Sequence, residues 1–208
     1  MVEPSHFVEP GAGPVPQTRS GSGRRLGLLA LGAAGAAALV AAIVVLPGEW
    51  RVFQQRNTEL KLARETAGLR LDESPEAQGT ADYLRTALAA SMDLKSTVGA
   101  VYADPVEQSL SVIFIGGTAT LREPESDLDR LFQLVTDKAD AVAGVRTVPP
   151  GPLGGVMKCG ASSGPDEPMA VCGWADNGSL AVAMFPNRAI DESAVLLRAM
   201  RADLERRP

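Results

Sequence analysis

Few side chains in this 208-residue chain could do chemistry, and their spacing limits what they could do. The single histidine, His6, sits near the N-terminus. From residue 50 onward there is none, which excludes Ser-His-Asp and Cys-His constellations and any histidine-ligated metal in that part of the chain. Cys159 and Cys172 are the two cysteines. Their spacing is not the C-x-x-C of redox proteins, two thiolates cannot complete a four-ligand zinc site, and a nucleophilic cysteine would lack a base. Ser162, Ser163, Ser179 and Thr118 fall at predicted turns, also without a base. No G-x-S-x-G, phosphate loop or dinucleotide fingerprint is present. Glu123, Glu125, Asp127 and Asp129 crowd the start of a predicted helix. They would suit either a cation or the positive end of the helix dipole, and the dipole is the simpler reading. The expectation is therefore no catalytic residue, no cofactor and no metal ligand.

The cysteines gain meaning from the elements around them. Gly155–Ala161 and Met169–Ala175 are strand candidates, with turn residues Gly164-Pro165-Asp166 midway between the cysteines. If the two strands pair antiparallel about that turn, Cys159 and Cys172 face each other, a spacing that permits a cross-strand disulfide. Closing a loop of about 14 residues would stabilise the fold by roughly 3 kcal/mol in the chain-entropy account. Trp174 lies two residues beyond Cys172. It is a candidate for lining a ligand pocket or for packing in the core.

The remaining elements follow from punctuation and periodicity. Ser74-Pro75 has the form of a helix start, and Ala81, Leu84, Leu88 and Met92 follow at helical spacing to an end near residues 91–94. Val98–Ala103 alternates as a strand. Ser109–Ile115 carries the run Val112-Ile113-Phe114-Ile115, which predicts a strand buried on both faces and ended or bulged by Gly116-Gly117. Glu123-Pro124 opens a second helix, with Leu128, Leu131, Leu134, Val135, Ala139 and Val142 on its apolar face. Leu180–Phe185 is a further strand, joined to its predecessor through Asn177-Gly178, a strong hairpin signal. A last helix starts at Asn187 or Asp191 and ends at Arg206-Arg207. The order after Ser74 is α-β-β-α-β-β-β-α.

Residues 1–25 hold repeated Pro, Gly and Ser and too few large apolar residues to offset chain entropy, so they read as a disordered cytoplasmic tail. Residues 26–46, LGLLALGAAGAAALVAAIVVL, are uncharged throughout. As a helix they would span about 31 Å at roughly 1.5 Å per residue, enough for a hydrocarbon core of about 30 Å. The run is longer than a signal-peptide core and ends in bulky residues, which favours an uncleaved anchor. Arg19, Arg24 and Arg25 on one side balance Arg51, Arg56 and Lys61 on the other, and the closer arginines favour a cytoplasmic N-terminus. Ala30, Ala34, Ala38 and Ala42 form a small-residue ladder. It suits a helix–helix contact between two copies, though an alanine-rich composition also generates it. Residues 47–73 read as a juxtamembrane stalk or linker, with a first strand near Leu69–Leu71. Residues 74–208 form the folded domain. The expected fold class is α+β: one transmembrane helix followed by an antiparallel sheet packed with about three helices.

The formal charge is −5, from 20 basic and 25 acidic side chains. That leaves no electrostatic footprint for nucleic acid. The segments Met157-Lys158-Cys159-Gly160 and Val171-Cys172-Gly173-Trp174-Ala175-Asp176, with Gly178-Ser179, resemble a pattern in uncharacterised actinobacterial single-pass membrane proteins that carry an extracytoplasmic C…CGWAD domain. The resemblance implies membrane anchoring and the Cys159–Cys172 disulfide, and it supplies no catalytic residue. The expectation is a plasma-membrane protein in the lipid bilayer whose outer domain is a non-enzymatic module for an envelope protein or peptide ligand. A transmembrane regulator working through the Pro-rich tail, a histidine-free envelope enzyme and a homodimer built on the alanine ladder are the alternatives.

Overall fold

The computed structural model describes residues 52–136, 142–162 and 169–207. After helical residues 52–56, the chain forms β1 (Glu59–Leu60), β2 (Glu65–Thr66), β3 (Leu69–Leu71), α1 (Pro75–Ser91), β4 (Ser96–Ala103), a 3₁₀ turn (Gln108–Leu110), β5 (Val112–Thr118), α2 (Pro124–Thr136), β6 (Val142–Thr147), β7 (Val156–Ser162), β8 (Met169–Ala175), β9 (Ser179–Pro186), α3 (Ile190–Leu204) and β10 (Glu205–Arg206). Eight strands make one antiparallel sheet in the order β2-β3-β4-β5-β9-β8-β7-β6, and β1 pairs with β10 in a separate ribbon.

This corrects the expected architecture of one transmembrane helix followed by a sheet with about three helices. Among the described residues no helix is long and apolar enough to cross a membrane. An uncharged run such as 26–46 shows only that a stretch could cross lipid, and that run, with its alanine ladder, lies outside the described residues. The described residues hold three long helices plus helical residues 52–56. They also hold four strands that the sequence reading lacks. Strands β1, β2 and β10 are two residues each, too short to show a period of two. Strand β6 is an edge strand whose side chains are mostly exposed, so it has no apolar alternation, and Val142 falls by coincidence on the stripe of α2.

Ser74 caps α1 by accepting a hydrogen bond from the Ala77 N–H at 3.3 Å, with Pro75 in the first turn where its missing donor does no harm. Helices α1 and α2 cover one face of the sheet. There Leu88, Leu128, Leu131 and Phe132 meet Ile115, Val171 and Val182 from the strands. Helix α3 and the β1–β10 ribbon cover the other, where Leu60, Leu197, Met200 and Leu204 meet Tyr102, Phe114, Cys172 and Trp174. Each fully buried leucine or phenylalanine contributes roughly 1.5–3 kcal/mol of transfer free energy. A central sheet covered on both faces explains the continuous apolar run in β5 and the burial of all but one residue in each of β8 and β9. Gly116 and Gly117 continue β5 instead of ending it, paired with β4 and β9. A Cβ on Gly116 would lie 2.7 Å from the Ala181 Cβ and 3.2 Å from Leu60 Cδ1, so its bare backbone lets the ribbon seat on the sheet.

The strand expected near Leu69–Leu71 is β3, and residues 59–66, read from sequence as stalk or linker, supply β1 and β2. The incoming segment is also held directly. Gln55 donates from Nε2 to Leu153 O at 3.4 Å and accepts the Asn177 N–H at 3.4 Å. At Gly178 a Cβ would overlap the Gln55 carbonyl. Replacing Gly178 with alanine should therefore destabilise the domain by about 1–3 kcal/mol, the usual cost of overpacking. The shift in urea midpoint checks this, and a midpoint equal to wild type would contradict the contact.

Candidate functional site

Cys159 and Cys172 are directly opposed on β7 and β8, with Cα atoms 4.1 Å apart, and are joined as a disulfide. Both are fully buried on the face packed by α3. Trp174 lies on the same face and is also fully buried, so it is a core residue. Its Nε1–H donates to Ser179 Oγ at 3.2 Å, and its ring stacks on Phe114 with centroids 5.8 Å apart. The Arg201 guanidinium carbon lies 5.2 Å from the indole centroid, a cation–π contact inside the core.

Arg201 belongs to a buried ionic network that the sequence reading missed. Asp176 Oδ1 accepts the N–H groups of Gly178 and Ser179, at 2.8 and 2.9 Å. Its Oδ2 accepts Arg201 Nη2 at 2.7 Å and Arg207 Nη2 at 2.6 Å. Glu205 accepts Arg201 Nε on Oε2 and Arg207 Nε on Oε1, both at 2.6 Å. Arg201 also donates to Gly154 O at 2.8 Å. Two carboxylates thus meet two guanidinium groups, and every carboxylate oxygen is engaged. A closed set of this kind cross-links the β8–β9 turn, the loop before β7, the end of α3 and the last residues of the chain. Arg206-Arg207 therefore does not extend the last helix; Arg206 lies in β10 and Arg207 closes the network.

The sequence hints at this network only faintly. Asp176 precedes the Asn177-Gly178 turn, and Arg201 and Glu205 are four residues apart at the end of a helix, where such a pair normally reads as solvated. Three of the four carboxylates crowding the start of α2 form ion pairs. Lys158 on β7 lies 2.6 Å from Asp129 and 3.0 Å from Glu125, and Asp127 faces Arg130 at 3.5 Å. Burial alone would lower the Lys158 pKa, but hydrogen bonds to Asp129 and Glu125, with their charges, outweigh it and raise the pKa above its ordinary value. Among the described residues no group of three or more candidate ligands could hold a metal ion.

The described surface carries a mixed cleft of about 320 Å³ beside β2, the outer strand of the sheet. One wall is the β2–β3 hairpin turn. Ala67 and Gly68 both take positive φ, +50° and +82°, as a type I′ turn requires. Asp203 on α3 holds that turn, with Oδ2 accepting Thr66 Oγ1 and the Ala67 N–H, each at 3.0 Å. Pro105, in the β4–β5 loop, forms the other wall. That loop is fixed by Asp104, whose Oδ1 accepts the Val106 and Glu107 N–H groups and whose Oδ2 accepts Arg188 Nη2 at 2.9 Å. The two N–H bonds, aided by Arg188, hold the Asp104 carboxyl below the usual range. With its folded pKa depressed, its contribution is complete at neutral pH and is lost as pH falls through the folded value. Behind the cleft, the Tyr102 hydroxyl donates to Ala63 O at 3.1 Å, and burial pushes its pKa up to about 12. Arg70 and Arg206 stand at the cleft, with Glu65 paired to Arg70 Nε at 3.1 Å.

Comparison with family models, curated proteins and solved structures gives no match to this chain. The site is therefore read from its own geometry. Replacing Arg201 with methionine should cost about 3–5 kcal/mol, because it strands buried carboxylates. Arg207→Ala should cost less, since Arg201 still meets both Asp176 and Glu205. Urea unfolding followed by Trp174 fluorescence checks the order, and equal small losses would contradict the network's closure.

Proposed function

We propose that the folded domain, residues 52–207, is a non-enzymatic binding module outside the plasma membrane. The uncharged stretch 26–46 supplies the membrane attachment, and the N-terminal tail lies in the cytoplasm. The observation that carries this reading is the Cys159–Cys172 disulfide, fully buried in the core. Structural disulfides persist in oxidising compartments and are rare where thiols are kept reduced. The sequence resemblance to actinobacterial single-pass membrane proteins points the same way.

Binding in place of reaction is supported by how the ionisable groups are used. The buried carboxylates and guanidinium groups near the chain's end satisfy one another. Polar groups at the cleft instead hold two backbone walls in place before any ligand arrives, which lowers the ordering cost of binding. An alkaline phosphatase moiety fused after Pro208 tests the compartment, because that reporter matures only where its own disulfides form. Activity in whole cells is the expected result. A full-length fusion that stays inactive while a cytoplasmic fluorescent fusion is bright would overturn the reading.

A further inference from the structure

We propose that the cleft between the β2–β3 turn and the β4–β5 loop binds the C-terminal end of a short peptide, with the peptide's free carboxylate on Arg206. The proposal rests on the binding-module reading and gives that module its site and ligand class.

Three features of the cleft select this chemistry. The first is its charges. Arg70 and Glu65 pair with each other. Arg206 has no ion-pair or hydrogen-bond partner for its guanidinium among the described residues. A free guanidinium on a rim matches a carboxylate in its two-point geometry. The second is Asp203. Its Oδ2 is occupied by Thr66 and Ala67, while its Oδ1 accepts no hydrogen bond from the described residues. The cleft thus offers a donor fork and a free anionic acceptor together, and the charges of Arg70, Arg206, Glu65 and Asp203 sum to zero. A simple anion would satisfy only half of this. A peptide terminus presents both a carboxylate and, one bond system back, a backbone N–H. The third is the edge. Strand β2 ends the eight-stranded sheet, and an outer strand leaves backbone groups available for an added extended chain. The walls contributed by Ala63, Ala67 and Pro105 are small and apolar, so small side chains suit the penultimate positions.

The site is also built before binding. Ala67 holds a left-handed conformation that costs a non-glycine residue energy, and Asp203 stabilises it through two hydrogen bonds. Asp104 and Arg188 fix the facing loop independently.

The test is isothermal titration of the full chain in detergent micelles with three probes: Ala-Ala-Ala with a free carboxylate, the same peptide as its C-terminal amide, and inorganic phosphate. Saturable binding of the free acid is expected, with the amide at least about tenfold weaker, a difference of about 1.4 kcal/mol. Arg206→Gln should lose about tenfold for the acid and little for the amide, with an unchanged thermal midpoint, because this side chain is exposed and unpaired. Equal binding of acid and amide, or an Arg206→Gln variant that binds like wild type, overturns the site while leaving a binding module in place. Phosphate displacing the peptide at equal concentration reduces the cleft to a general anion site and overturns the peptide assignment. No binding of any probe overturns the proposal alone, since the compartment reading stands or falls on the reporter fusion.

Discussion

The pairing of Asp176, Glu205, Arg201 and Arg207 is the interaction on which the arrangement of the described residues before β2 and after α3 depends. Burying any one of these charges alone would cost several kcal/mol, so each is tolerable only because the others are placed to meet it. That requirement fixes distant pieces of chain against one another: a turn at 176–179, the end of α3, the loop at 154, and the tail through Arg207. Once Glu205 is held, β10 lies beside β1, and the incoming segment is drawn onto the same end of the sheet, where Gln55 meets the turn. The network does not make the domain stable in the way that an apolar core does. It specifies one arrangement of residues 55–60 against residues 201–207 and penalises others.

The disulfide works at a different level. It joins two strands already neighbours in an antiparallel ladder, so it adds little to topology and constrains the unfolded chain instead. Its weight in the functional reading comes from compartment chemistry. The interior holds its charges closed, while the outer end of the sheet presents a cleft whose walls are pinned by separate carboxylates. That division separates the part of the molecule that specifies the fold from the part where we propose a ligand binds.

Much of this was legible in the sequence wherever local signals agree with tertiary demand. Ser74-Pro75 marks a helix start because cap and proline act within one turn. Cys159 and Cys172 were readable as a pair because turn-type residues fall midway between the two strand candidates. Asn177-Gly178 marks a hairpin, although neither residue takes positive φ; Asp176 turns the chain through its side chain instead. In the β2–β3 hairpin it is Ala67-Gly68 that takes positive φ, where alanine gives no warning and Asp203, far along the chain, holds the turn. The cleft and the ionic network were illegible for the same reason. Their decisive contacts, Asp176 to Arg201 and Thr66 to Asp203, join residues 25 and 137 positions apart, and each member is individually an ordinary surface residue type. Strand β6 was missed because an exposed edge strand carries no apolar alternation, and the membrane-spanning expectation rested on a stretch outside the described residues.

The claim at the centre of this account is that Cys159 and Cys172 are joined in a domain that we propose lies in an oxidising compartment. The most direct measurement is labelling of the native protein in intact cells with a membrane-impermeant maleimide, before and after reduction, followed by thiol counting under denaturing conditions. The account predicts no labelling of Cys159 or Cys172 before reduction, and labelling of both once an added reductant and mild denaturation open the core. Free thiols that label only after the cells are broken, without any reductant, would contradict it.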